Sequence, residues 1–203
     1  MKIKTPLFIV FEGIDGAGKS TQANLLFSFC RAIAPAVLLQ EPTDSQYGKL
    51  LRKMLKGEIP GTRNELLELF IKDRAYDVEH NILPLLNKGY VVIVDRYFYS
   101  TAAYQAGDGI KPSDILRMNI EKGFPVPDRV YFIDIEPATA LERIHRRSGD
   151  NKEIFETLHT LETIRKNYMS IADSTFAIIQ GSLGVEDMFK EVLKDFEKHF
   201  VTG

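Results

Sequence analysis

Apolar residues follow two rhythms along this chain. Short runs rich in β-branched and aromatic residues fall at 7–11 (LFIVF), 36–40 (AVLLQ), 91–95 (VVIVD), 130–135 (VYFIDI) and 176–180 (FAIIQ). Between them lie longer stretches with helical spacing, such as KSTQANLLFSFCRAI and NELLELFIKDRAYDVEHNILPLLNKG. Strands that read apolar on both faces and alternate with helices predict a mainly parallel five-stranded sheet flanked by helices, an α/β fold in three layers. Such sheets bind ligands beyond the C-terminal ends of their strands. The polar residues that follow four of the runs, EGIDGAGKS, EPTDS, DRYFYS and EPATALERIHRRSGD, therefore hold the candidate chemistry. No repeat, low-complexity tract or linker divides the chain, and one domain over 1–203 is expected, with a polar segment at about 145–155 as a candidate lid.

The first of these segments fits G-x-x-x-x-G-K-S, with Gly13, Gly18, Lys19 and Ser20 in the fixed places, Gly16 inside and Thr21 following. Glycines there let backbone N–H groups curl around a phosphate chain, which points to ATP binding in a P-loop NTPase fold. Lys19 is placed to reach the outer phosphates and Ser20 a Mg2+ ion. Asp95, at the end of VVIVD, either presents a carboxylate to that metal or serves as a helix cap or surface acid. Arg96 beside it adds a guanidinium whose fork suits two phosphate oxygens.

Composition narrows the picture by exclusion. The 203 residues carry a net charge of -2, which gives no broad attraction to nucleic acid. The lone cysteine, Cys30, sits among apolar neighbours and reads as a buried inert thiol in a reducing compartment. Glu12 and Asp15 interrupt the apolar start too early for a signal peptide, and no stretch is long enough to cross a bilayer; a soluble, cytoplasmic protein is expected. His80, His145, His159 and His199 are scattered without metal-ligand spacing, and no Ser-His-Asp or Cys-His constellation stands out. Phosphoryl transfer needs none, because its catalysis is alignment and charge neutralisation.

From Leu7 to Tyr168 the chain resembles the thymidylate kinase family. The resemblance rests on FEGIDGAGKSTQ, Glu41-Pro42, LFIKDR ending at Arg74, DRYFYSTAAYQ from Asp95 to Gln105, and ALERI. It implies transfer of the γ-phosphoryl group of Mg-ATP to dTMP, and a homodimer. Phe70 then matches the ring that stacks on thymine and Arg74 the donor to its O4. Spacing alone puts the two on one helical face and leaves Phe70 open to a core row with Leu66 and Leu67, and Arg74 to a pairing with Glu79 or water. Tyr104 matches the ring under the deoxyribose. Ser100, Thr101 and Gln105 match further contacts to base or sugar, and Asp15 the loop carboxylate near the acceptor 3′-hydroxyl and the metal. Inside a phosphate cradle that carboxylate needs a hydroxyl or cation partner.

Arg143 matches the arginine that packs on adenine. The family places a catalytic arginine in the phosphate loop or in the lid; with Gly16 at the loop position, Arg147 and Arg146 are the candidates, against a solvated basic turn. The chain departs from the family pattern at Gln40, at Thr43–Ser45, which lacks a second phosphate-binding arginine, and at Asn151 and Lys152. Glu12 receives no role. A kinase for another nucleotide would keep the loop and lid and change the pocket around Phe70 and Arg74. A nucleotide-dependent switch should carry N-K-x-D, which does not occur in the chain.

Overall fold

The structure is a computed structural model that describes residues 1–148 and 157–202, with side chains left out at 147 and 148. Five parallel strands, β2 (Leu7–Glu12), β3 (Ala36–Gln40), β4 (Val91–Asp95), β5 (Arg129–Asp134) and β6 (Phe176–Gln180), form one sheet in the order β3-β4-β2-β5-β6. Each matches a predicted apolar run to within a residue. Burial explains their composition: β2 and β4 are buried at every position, whereas edge strand β6 alternates and exposes Ile178. A short antiparallel pair, β1 (Lys2–Ile3) with β7 (Val201–Thr202), ties the chain ends together and is too short to show a period in sequence.

Helix α1 (Lys19–Arg31) follows β2 directly and buries Ala23, Leu26 and Cys30 against the sheet. Burial pushes the Cys30 thiol up to about 12, as an inert core cysteine requires. Helix α2 (Gln46–Leu55) starts on a Ser45 cap, and α3 (Arg63–Asp77) on a capping box between Thr62 and Glu65. The apolar stretch read as a single helical run is broken: a π-helical turn over Val78–Ile82 separates α3 from α4 (Leu83–Asn87). Pro84 lies at the start of α4, where its missing N–H cannot support a continuing α-helical ladder. The remaining helices are α5 (Phe98–Gln105), α6 (Pro112–Glu121), α7 (Pro137–Ser148), α8 (Leu158–Ile171) and α9 (Val185–Phe200). No helix among the described residues is long and apolar enough to cross a membrane.

The topology reverses at β2. The chain passes from β2 to the edge at β3, returns to fill the gap with β4, then crosses to the other side with β5 and β6. A crevice therefore opens beyond the strand ends at β2 and β4. Register makes this concrete: Phe11 lies opposite Asp95, and Asp95 opposite Gln40, so Glu12, Arg96 and Glu41 leave the sheet side by side.

Gly13, the first residue past β2, has φ +145, and a Cβ there would stand 2.7 Å from the Ile133 carbonyl oxygen. Gly57 also has a positive φ, +70, but open space around it. Gly13→Ala should therefore cost about 2–3 kcal/mol and Gly57→Ala about 1 kcal/mol. Thermal unfolding of the two variants should show the larger fall in Tm for Gly13→Ala.

Candidate active site

The loop between β2 and α1 takes left-handed backbone at Gly16 (φ +79) and Gly18 (φ +102). Gly18 caps α1 without a side chain, which leaves the first amides of the helix to face a ligand. A Cβ at Gly16 would lie 2.4 Å from the Ala140 carbonyl oxygen of α7, so this loop position has no room for any larger side chain. Lys19 is 6 % exposed and donates from Nζ to the Ile14 carbonyl at 2.8 Å. Burial lowers its ammonium to about 8, reinforced by the Arg96 charge and opposed by Asp15, Asp95 and Glu12. Ser20 donates its hydroxyl to Asp95 Oδ2, while Asp95 Oδ1 is buried without a hydrogen-bond partner.

Across the crevice, Arg96 sits at φ +70, an uncommon backbone state for a non-glycine residue. Its guanidinium donates to Asp15, to Ser100 Oγ at 3.2 Å and to Tyr104 Oη at 3.5 Å, and lies over the Tyr104 ring at 5.2 Å. Burial opposes its charge, but Asp15 and the neighbouring acidic groups outweigh it and hold Arg96 firmly cationic. Tyr104 donates to Asp15 Oδ2 at 2.9 Å. The loop carboxylate thus has the cation and hydroxyl partners that its location demanded.

A third group closes the site from β3 and α3. Arg74, 1 % exposed, donates to Glu41, to Thr101 Oγ1 at 3.0 Å and to Asn119 Oδ1 at 2.8 Å, and lies over the Tyr97 ring at 5.1 Å. Its acidic partner is Glu41, not Glu79. Burial pushes the Glu41 carboxyl up to about 8, with the Arg74 charge opposing the shift. Asp73 accepts from the Thr43 backbone N–H at 2.7 Å and from the Thr43 and Ser45 hydroxyls at 2.6 Å, fixing the turn after Pro42. Unpartnered donors remain nearby: Arg74 Nε and Gln105 Nε2 are both buried without an acceptor.

These elements enclose a cavity of about 540 Å3. Asp15, Gly16, Gly18, Lys19, Ser20 and Thr21 line it from the loop, Asp95, Arg96, Ser100, Tyr104 and Gln105 from β4 and α5, Phe70 from α3, and Arg143 from α7. Arg143 also approaches the Gly16 carbonyl at 3.5 Å. Gly13, Arg74 and Thr101 do not line it, although Arg74 is bonded to the lining residue Glu41, and Arg146 is exposed on α7. Residues 145–148 of the expected lid continue α7, and the rest of it, 149–155, lies outside the described residues, as does the side chain of Arg147. The wall also contains Gln40, Glu41, Pro42, Arg52 and Leu55. Arg52 went unnoticed in the sequence. Its guanidinium donates to the Pro42 carbonyl at 2.8 Å and to Asp44 at 2.7 Å, and the available signal was an arginine on the helix that starts just beyond a strand end.

Comparison with known proteins agrees with this architecture. A family model described as thymidylate kinase matches residues 11–192. The chain belongs to the thymidylate kinase family. It is 45 % identical over 201 residues to the thymidylate kinase of Leptospira borgpetersenii, covering 98 % of each chain. It is also 40 % identical over 192 residues to a probable thymidylate kinase of Archaeoglobus fulgidus, covering 94 % of this chain and 95 % of the relative. A solved structure of thymidylate kinase from Candida albicans superposes with a TM-score of 0.78 at 23 % identity, over 98 % of this chain and 99 % of that one, and so shares the fold.

The Lys19 ammonium generates a pH expectation for this family member. Its ordinary value of 10.5 is lowered to about 8 in the ligand-free protein, so the lysine is cationic below pH 8 and loses its charge above it. ATP affinity measured by calorimetry should be flat from pH 6 to 7 and weaken as pH rises through about 8. Lys19→Met should bind more weakly and lack that upper limb.

Proposed function

We propose that this protein transfers the γ-phosphoryl group of ATP to the phosphate of dTMP, giving dTDP and ADP. The observation that carries the reading is one cavity with a phosphate-binding loop on one wall and, on α3 and α5, the Phe70 ring and the unpartnered Gln105 amide, with the unpartnered Nε of Arg74, the partner of lining residue Glu41, beside it. A flat base whose edge is rich in carbonyl oxygens is what such donors require. Thymine supplies O4 for Arg74 Nε and O4 or N3–H for the Gln105 amide, with Phe70 against its face. Tyr104 lies under the sugar, Asp15 receives its 3′-hydroxyl, and Ser100 and Thr101 support this end of the pocket.

An oxygen of the acceptor phosphate attacks the γ-phosphorus while the bond to the bridging β-oxygen breaks and ADP leaves. That oxygen is already anionic near neutral pH, so no strong base is needed. Lys19 and the loop amides meet the donor phosphates, Arg143 packs on adenine, and Arg96 bridges donor and acceptor charge. Arg52 adds the acceptor-side cation that the Thr43–Ser45 turn lacks. Ser20 and Asp95 fit a Mg2+ ion, since Asp95 Oδ1 is a buried oxygen in want of a cation. Bound there, Mg2+ would neutralise phosphate charge. Arg147, with Arg146, is the lid supply of further positive charge. The resemblance also supports a cytoplasmic homodimer, for which sedimentation should give about twice the 23.1 kDa chain mass.

ADP release across a panel of nucleoside monophosphates should be fastest with dTMP, and a preference for AMP, CMP or GMP would overturn the assignment. Gln105→Ala should raise the KM for dTMP roughly tenfold, as loss of a base contact worth about 1.4 kcal/mol, with the KM for ATP little changed.

A further inference from the structure

Glu12, the last residue of β2, stands outside every role assigned above, yet it is fully buried and heavily bonded. Its carboxylate accepts four hydrogen bonds. Oε1 takes the backbone N–H of Tyr97 at 2.9 Å and of Ser100 at 3.1 Å, and Oε2 takes the hydroxyls of Ser100 at 2.6 Å and Tyr168 at 2.9 Å. Burying a carboxylate costs several kcal/mol unless its lone pairs are used, and three of these four bonds fall on the start of α5, which has no side-chain cap of its own.

What Glu12 grips is the turn that launches Arg96. The backbone on one side of that strained residue is held by Arg96 N–H donating to the Phe11 carbonyl at 3.0 Å, and on the other by Tyr97 N–H donating to Glu12. The side chain is held by the same carboxylate at one remove: Arg96 Nη1 donates to Ser100 Oγ at 3.2 Å, and that hydroxyl donates to Glu12 Oε2. Main chain and guanidinium of Arg96 are thus both referred to one anion at the end of the strand that carries the phosphate loop. Tyr168 brings α8 to the same point.

We propose that Glu12 is the positioning residue for Arg96, holding its left-handed turn and its guanidinium at the angle that phosphoryl transfer uses. This inference rests on the reading of Arg96 as the cation on the transferring phosphate. Glu12→Gln keeps the shape but places an NH2 group against donors, so part of the grip must fail. It should lower kcat 10–100-fold with the KM for ATP within about twofold. The decisive readout is a double-mutant cycle with Arg96→Lys. If Glu12 acts through Arg96, Glu12→Gln should cost less than about twofold once Arg96 is already replaced.

An equal loss in both backgrounds would make Glu12 a general scaffold residue and overturn the proposal, as would parent-like kcat in Glu12→Gln beside an impaired Arg96→Lys. Full turnover in Arg96→Lys would instead remove the reading of Arg96 itself, and the proposal with it. Tyr168→Phe deletes one bond to the carboxylate together with the 2.8 Å contact to Ser100 Oγ, and keeps the core filled. Should Glu12→Gln fail to fold, the same cycle is run with Tyr168→Phe, which should lower kcat about threefold in the parent and be silent beside Arg96→Lys; parent-like kcat, or an equal loss in both backgrounds, overturns the proposal here too.

Discussion

The parallel pairing of β2 with β4, with Phe11 opposite Asp95, is the constraint on which the site depends. The loop that follows β2 and the turn that follows β4 carry the residues proposed for the two halves of the chemistry, and neither has a regular structure that would fix its position alone. Adjacent strands lie about 4.8 Å apart, so register alone brings Ser20 to Asp95 and Asp15 to Arg96. A slip by one residue would move Asp95 and Arg96 by ~3.3 Å along β2 and part both pairs. The energy that holds the sheet together is therefore also what sets the site geometry.

Charge around the cavity is arranged at those strand ends in opposed pairs. Arg96 faces Asp15, Arg74 faces Glu41, and Arg52 faces Asp44. The first two pairs are buried or nearly so, where attraction roughly offsets the cost of leaving water, so their value lies in fixing direction. The third is open to solvent and contributes little to stability. Lys19 has no acidic partner in hydrogen-bond contact among the described residues and leans on a backbone carbonyl instead. That exchangeable bond suits a side chain whose better partner is an incoming phosphate.

Much of this was legible in the chain itself, for reasons that vary by element. The sheet could be read because buried parallel strands leave continuous apolar runs, and the loop because three glycines, a lysine and a hydroxyl between strand and helix serve one purpose. The β1–β7 pair and the π-helical break after Asp77 could not, since one is too short for a period and the other leaves the apolar spacing nearly unchanged. Arg74 looked like a wall residue from its spacing to Phe70; only the tertiary structure reveals the Glu41, Thr101 and Asn119 shell around it. Arg52 and Glu12 were hidden for the opposite reason. Their partners are distant in sequence or are backbone atoms, which no local pattern records.

The contact between Arg96 and Asp15 has a consequence for selectivity among solution anions. A guanidinium already satisfied by a carboxylate does not offer itself to any passing sulfate or inorganic phosphate, which would have to displace Asp15 from it. A nucleotide that brings both an anion for Arg96 and a sugar hydroxyl for Asp15 replaces both halves of the pair in one step. On the proposed reading the pair would work as a two-key lock, favouring ligands in which phosphate and hydroxyl are joined at the right span over water or free phosphate.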